Sequence, residues 1–259
     1  MTPSPGAEPP GRRAGSRGEP FFLVDALPAP GPFVLDGAEG RHAAAVRRLR
    51  PGEELVLTDG AGHLAAATVT TAGRAELTLD VAAPQVESPP DVRVTLVQAL
   101  PKGERGELAV ELATEAGVDA IVPWAARRCV ARWGAPEQVD KGVRRWRNTA
   151  RESAKQARRA FVPAVYDLAQ TPQVTARLTG ATCVVLHETS ATPLATVEWP
   201  AAGDVVLIVG PEGGLTEEEL TVFVAAGATV VRLGPQVLRT STAGAVALGA
   251  LGVLTGRWT

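Results

Sequence analysis

Two short segments hold the residue types that do chemistry. The first is Val209-Gly210-Pro211-Glu212-Gly213-Gly214-Leu215-Thr216-Glu217-Glu218-Glu219. An apolar run enters a glycine turn and leaves as a helical pattern. Thr216 with Glu219 three residues on forms a reciprocal cap that fixes the helix start. In an open α/β sheet such a place, at the carboxyl end of a strand, is where ligands bind. A tight strand-to-helix turn without a ligand is the other reading of this segment alone. The charges limit any ligand. A phosphate cradle needs free N–H groups, the positive end of a helix dipole and usually a lysine. This loop has no lysine, and Glu212 with three further glutamates crowds the helix start. They repel phosphate, which argues against a Walker loop or a dinucleotide fingerprint. A neutral or cationic ligand fits better.

The second segment is Leu233-Gly234-Pro235-Gln236-Val237-Leu238-Arg239-Thr240-Ser241-Thr242-Ala243-Gly244, which again runs from a strand into a helix. Its hydroxyls suit a helix cap. Arg239 is the only charge between Arg232 and Arg257. It reads either as a surface cation beside a helix end or as a cation aimed at substrate or cofactor, and its position at a sheet edge beside the glycine loop favours the second. Gly244, Gly249 and Gly252 inside an apolar helix each cost about 1 kcal/mol relative to alanine. They are expected where another backbone passes closely.

Charge is spread unevenly. The net charge is −2, yet Arg127 to Arg159 contains eleven Lys or Arg against three Asp or Glu, a local excess of +8, with Trp133 and Trp146 interleaved. Arg41, Arg47, Arg48 and Arg50 form a second basic cluster. Any one of these residues reads as solvated surface. The two clusters together point to an RNA or DNA partner whose phosphates supply much of the affinity. The two cysteines, Cys129 and Cys183, lie far apart, and His42, His63 and His187 are scattered, so neither a metal site nor a disulfide framework is expected. No apolar core follows the N-terminal charges, so no signal peptide is expected. The uncharged run Thr240 to Gly256 is short for a bilayer span and rich in Gly and Ala, as a buried helix would be. A soluble cytoplasmic protein without a membrane segment is expected.

The elements that must position these segments follow from length and periodicity. The 259 residues suggest two compact domains. Residues 1–19, rich in Pro, Gly and Arg, read as a disordered tail. Residues 20–83 carry short apolar runs at Phe21–Val24, Phe33–Leu35, Glu54–Thr58, Ala65–Thr70 and Glu76–Val81, with one helical stretch, Gly40–Leu49. Gly and Pro punctuate the runs, which predicts a small β-barrel or sandwich. Residues 84–90 read as a linker. Residues 91–259 alternate strand-like runs (Val92–Leu100, Ala120–Val122, Cys183–Leu186, Val205–Val209, Thr229–Leu233) with helical patterns (Glu104–Ala116, Val139–Ala160, Thr216–Ala226, Thr240–Leu254). This alternation predicts an α/β fold: a mostly parallel sheet with helices on both faces. Gly117 and Gly227 are expected to end two helices in the left-handed region.

Several stretches, in order along nearly the whole chain, resemble the 16S ribosomal RNA uridine-N3 methyltransferases of the SPOUT class. They are Arg41-His42 with Val46-Arg47 and Arg50-Pro51-Gly52, Ala99 to Arg105, Ala113 to Asp119 with Ile121-Val122-Pro123, Arg151 to Gln156 with Val162-Pro163, Leu186-His187-Glu188, Gly210 to Leu215, and Leu233 to Thr240. The resemblance implies a PUA-like N-terminal barrel and a trefoil-knotted methyltransferase domain, usually in a homodimer. It implies S-adenosylmethionine, whose sulfonium is cationic, in a pocket made by three loops. The implied contacts are Leu186, His187 and Glu188; Gly210, Pro211, Glu212, Gly213 and Gly214; and Leu233, Gly234, Leu238, Arg239 and Thr240. Arg239 is the candidate for stabilising charge on the uracil, and Glu188 and Glu212 are candidate proton acceptors. Arg41, His42, Arg47, Arg48, Lys102, Arg105, Arg151, Lys155, Gln156 and Arg158 are the implied contacts to 16S rRNA of the small ribosomal subunit. The chain departs from the family's pattern at Ser241, where a Glu is common, and at Pro20, where an Arg is common. Two other readings are a SPOUT methyltransferase acting on another RNA and a non-catalytic ribosome-assembly factor that keeps the fold.

Overall fold

The computed structural model describes residues 14–15, 18–103 and 105–258. Most of the expected N-terminal tail, and Glu104 at the head of a predicted helix, lie outside the described residues. The chain divides into two compact units. One comprises residues up to Ser88 together with Arg158–Phe161, and the other Pro89–Ala157 with Val162–Thr259.

The first unit contains β1 (Phe21–Leu23), β2 (Gly31–Leu35), α1 (Gly37–Arg41) running into a π-helical turn at His42–Val46, β3 (Glu54–Thr58), β4 (His63–Ala72), β5 (Leu77–Val81) and β6 (Gln85–Val86). They form one mixed sheet in the order β1-β3-β4-β5-β2, with β6 on β4. Only β1 and β3 pair in parallel. Alternate residues of the strands turn inward, and Phe22, Leu35, Leu55, Leu57, Leu77 and Leu79 make the core. At Gly40 a Cβ would collide with the Leu35 carbonyl oxygen, so only glycine lets the helix lie this close to β2.

Two expectations are corrected here. The stretch read as a linker contains a strand, β6, which pairs with His63 and Leu64. The helix read as Val139–Ala160 ends at Gln156, and Arg158 turns through the left-handed region at φ 54°. Gly62 N–H then donates to the Ala160 carbonyl at 3.0 Å, which draws this short segment into the first unit. Such long-range pairings leave no periodic trace.

The second unit contains β7 (Val92–Ala99), α2 (Arg105–Glu115), β8 (Ala120–Trp124), α3 (Pro136–Gln156), β9 (Ala164–Val165), α4 (Thr171–Ala176), β10 (Thr182–Leu186), β11 (Gly203–Val209), α5 (Glu217–Ala225), β12 (Thr229–Val231) and α6 (Thr240–Leu254). The sheet is wholly parallel, in the order β12-β10-β11-β7-β8-β9. Its central strands are buried on both faces, which is why they read as continuous apolar runs. Leu96 and Gln98 of β7 lie against Gly244 of α6. In the β7–β8 register Trp124 pairs with Ala99, on the opposite face, where its ring meets Phe223 of α5 at 5.4 Å. Helices therefore cover both faces. Gly117 and Gly227 end α2 and α5 at φ +91° and +93°.

The glycines of α6 make room for side chains rather than for a passing backbone. A Cβ at Gly252 would fall 2.5 Å from the Trp258 indole, and one at Gly244 3.0 Å from Leu96. Beyond α6, Arg257 donates to both carboxylate oxygens of Asp119 and to the Gly117 carbonyl, fixing the chain end beside β7. Among the described residues no helix is long and apolar enough to cross a membrane, and no group of three His, Cys, Asp or Glu is placed to hold a metal.

Candidate functional site

The strand order brings β10, β11 and β12 side by side, so their carboxyl ends, Leu186, Val209 and Val231, form one edge. The loops that leave this edge surround a cleft. It is lined by Leu186, His187 and Glu188 after β10, by Val209, Gly210, Pro211, Gly214 and Leu215 after β11, and by residues from Arg232 to Ala243 around the start of α6. The three sequence segments singled out for a ligand thus converge on one place.

Each loop is held by identifiable bonds. His187 N–H donates to the Val231 carbonyl at 2.9 Å, tying the first loop to β12. In the second, Gly214 N–H donates to the Pro211 carbonyl at 2.9 Å, and Gly214 has φ +71°, which disfavours any side chain there. The Thr216–Glu219 cap forms in both directions, at 3.2 and 3.0 Å. The buried Glu219 carboxylate also accepts from Arg127 N–H at 2.8 Å and from the Thr171 hydroxyl at 3.4 Å, so it is fully engaged and structural. In the third loop the Arg239 carbonyl accepts from Thr242 and Ala243 N–H at 2.9 Å and starts α6.

Of the sequence-derived contacts, Leu186, His187, Glu188, Gly210, Pro211, Gly214, Leu233, Gly234, Leu238 and Thr240 line the cleft. Glu212, Gly213 and Arg239 do not. Glu212 turns to accept from Lys102 N–H at 3.2 Å. Gly213 backs onto Arg128, whose Cβ and carbonyl oxygen would lie 3.0 Å from an added Cβ. Arg239 is exposed at the start of α6, and its guanidinium meets no partner among the described residues. The cleft also takes in Val209, Leu215, Arg232, Gln236, Val237 and Ala243. These are strand ends and neighbours of the flagged residues, which a motif does not mark.

The lining suits the ligand that the charges allowed. It has apolar walls (Leu186, Val209, Leu215, Leu233, Leu238), main-chain groups of three glycines, one carboxylate (Glu188), one guanidinium (Arg232) and no lysine. An apolar cleft with a few convergent polar groups is a small-molecule site, and this one fits the adenine and amino-acid ends of S-adenosylmethionine better than a polyphosphate.

Arg128, not flagged for the cleft by the sequence, braces its middle loop. Its Nη1 donates to the carbonyls of Gly213 at 3.4 Å and Leu215 at 3.1 Å. Arg128→Ala is expected to loosen the loop and weaken S-adenosylmethionine binding roughly tenfold, while Arg128→Lys recovers part of it. Calorimetric titration of both variants measures this, and unaltered affinity in Arg128→Ala would remove Arg128 from the site.

The basic residues divide. Arg41, Arg47, Arg48, Lys102, Arg105, Gln156 and Arg158 are exposed and Arg151 is half-buried. The half-buried His42 ring stands edge-on to Phe22 at 5.9 Å. Lys155 differs: it is buried, and its ammonium lies 3.1 Å from Glu152. It does not offer a free charge to phosphate, contrary to what its place in the basic stretch and the family resemblance implied. Arg145 and Arg147 are also paired, with Glu107 at 3.1 Å and Asp167 at 2.9 Å.

Residues 87–252 match the RNA methyltransferase domain family, and residues 35–82 the RNA methyltransferase PUA domain. The chain is 53% identical over 248 residues to the ribosomal RNA small subunit methyltransferase E of Mycobacterium tuberculosis (strain CDC 1551 / Oshkosh), covering 92% of this chain and 93% of the relative. With that of Bacillus subtilis (strain 168) it shares 29% identity, over 86% and 90% of the two chains. Among solved structures it is similar to a ribosomal RNA small subunit methyltransferase E from Neisseria gonorrhoeae bound to S-adenosyl methionine, with TM-score 0.82, 28% identity, and 91% and 98% of the chains covered. A methyltransferase from Legionella pneumophila in complex with the cofactor gives TM-score 0.79 at 27% identity, covering 91% and 96%.

Proposed function

The chain belongs to the RNA methyltransferase family of the ribosomal RNA small subunit methyltransferase E type, and on that premise we propose that it methylates N3 of a uridine in 16S rRNA, using S-adenosylmethionine held in the cleft at the ends of β10, β11 and β12. The observation that carries this reading is the meeting of the three family motifs around one neutral, glycine-lined cleft.

S-adenosylmethionine supplies a methyl group on a cationic sulfur. The chain's residues do the rest. Apolar side chains and main-chain groups of the loops hold the ligand and exclude water from it. Holding two reactants in line lowers the barrier by several kcal/mol before any acid–base chemistry. Uracil N3 must lose its proton, and the negative charge then spreads to the flanking oxygens. Arg239, next to the cleft residues Leu238 and Thr240, is the cation we assign to that charge. Glu188 lines the cleft, whereas Glu212 points to the Lys102 backbone, so Glu188 is the better-placed proton acceptor. Because N3 is buried in a base pair, the target base must be unpaired or flipped out. The exposed basic residues Arg41, Arg47, Arg48, Lys102, Arg105 and Arg158, the half-buried Arg151 and the polar His42 and Gln156 are assigned to rRNA, and the site of action is then the cytoplasm.

We also assign a homodimer. Val246, Val253 and Leu254 on α6, and Val237 and Leu238 before it, are large apolar side chains left open to solvent, Val237 at 79% and Val253 at 70% exposure. Sedimentation is expected to give twice the chain mass, and Val253→Asp to give a monomer. A wild-type monomer at micromolar concentration would contradict the assignment.

The function itself is tested by nucleoside mass spectrometry of 16S rRNA from cells lacking this gene. One N3-methyluridine should vanish and return with the intact gene.

A further inference from the structure

A second cleft lies at the carboxyl end of β8, apart from the three loops. It is walled by residues 125–127, 129 and 131–134 on one side and by residues 168 and 170–172 on the other. No carboxylate lines it. Arg127 and Arg132 bring positive charge, and the Gln170 side chain brings an amide able to hydrogen-bond a base edge, while the Thr171 hydroxyl is held by Glu219 and Trp124. Cys129 adds none: burial pushes its thiol up to about 11, so it stays neutral. Glu218 stands beside Arg127 and Arg128, whereas Arg132 has no acidic partner among the described residues.

Trp133 gives this cleft a flat wall. Its ring packs on α3, where a Cβ at Gly142 would fall 2.5 Å from it, and meets Trp146 edge-on at 5.6 Å. The indole is therefore held rigid at the surface of the most basic stretch of the chain. A fixed aromatic face next to a guanidinium without an acidic partner is the arrangement that binds single-stranded nucleic acid, with a base stacked and a phosphate neutralised.

We propose that this cleft is a nucleotide subsite, in which an unpaired base of the rRNA substrate stacks on Trp133 and its phosphate pairs with Arg132. The proposal rests on the rRNA methyltransferase reading above. The subsite holds a nucleotide other than the one that is methylated, and so adds affinity without touching the methyl donor.

The full chain, its Arg132→Ala variant and its Trp133→Leu variant are titrated with 16S rRNA in small subunits across a range of salt, and S-adenosylmethionine binding is measured in parallel. Arg132→Ala is expected to weaken rRNA binding and lower its salt slope by about one. Trp133→Leu is expected to weaken rRNA binding roughly tenfold with little change in that slope. Both effects should fall on KM for rRNA and not on S-adenosylmethionine affinity. If Trp133→Leu fails to fold, ultraviolet cross-linking of wild type to rRNA decides: a nucleotide adduct on the peptide holding Trp133 supports the subsite, and its absence counts against it. If wild type methylates small subunits while the folded variants bind rRNA unchanged, the subsite is wrong. If wild type transfers no methyl to rRNA, the functional reading falls, whatever the variants do.

Discussion

Arg239→Ala is expected to lower the single-turnover rate of methyl transfer on the order of 10²–10³-fold, with S-adenosylmethionine and rRNA both saturating. Cofactor affinity should change little, because the guanidinium is not part of the cleft lining. Folding provides the control. Arg239 stands at the start of α6, where the helix dipole is positive, and a cation there is unfavourable by about 0.3–1 kcal/mol. Its side chain has no partner among the described residues. Removing it should leave the melting temperature level or slightly raised, as for a residue kept for chemistry at some cost to the helix. Arg239→Lys should rescue only partly, since a point charge lacks the planar fork of donors. A near-wild-type rate in Arg239→Ala, or a clear loss of stability, would make the residue structural.

Gly214→Val is expected to abolish S-adenosylmethionine binding, with a loss of 100-fold or more in affinity. At φ +71° a β-branched residue is strained wherever there is space, and relief requires the turn to open. The same turn carries Gly210, Pro211 and Leu215 into the cleft, so the loop loses its shape where the ligand sits. Strain of ~1–3 kcal/mol at a surface loop should not unfold the chain. Gly213→Val makes the complementary test. Its φ is ordinary, but its side chain would strike Arg128, so it should disturb the brace and reduce binding less completely than Gly214→Val. Calorimetry on folded variants checks the order, and full affinity in Gly214→Val would exclude this loop from the site.

The elements that build the cleft were legible because their signals are local. Thr240–Leu254 is a helix over the residues its apolar run predicted, and the Thr216–Glu219 cap forms as its spacing required. The parallel strands showed as apolar runs because both their faces are covered. What remained hidden depends on partners distant in sequence. The two-residue strands Gln85–Val86 and Ala164–Val165 are too short for any period and exist through pairing alone. Gly249 and Gly252 announced a close neighbour, but not that it is the Trp258 side chain. A helical wheel groups Lys155 with Arg144 and Arg151 on the polar face of α3, and only three-dimensional packing could bury it. Within the site, glycines marked the right loops, yet whether a residue faces the ligand or braces the loop from behind, as at Glu212 and Gly213, depends on contacts to Lys102 and Arg128 more than 80 positions away.

The most direct test is reconstitution. Purified chain is incubated with S-adenosylmethionine carrying a labelled methyl group and with small ribosomal subunits from cells lacking the gene, and the 16S rRNA is digested to nucleosides and analysed by mass spectrometry. One labelled N3-methyluridine per 16S molecule is the predicted result, lost in Gly214→Val and slowed in Arg239→Ala. Label on a ribose hydroxyl, on another RNA, or nowhere at all would contradict it.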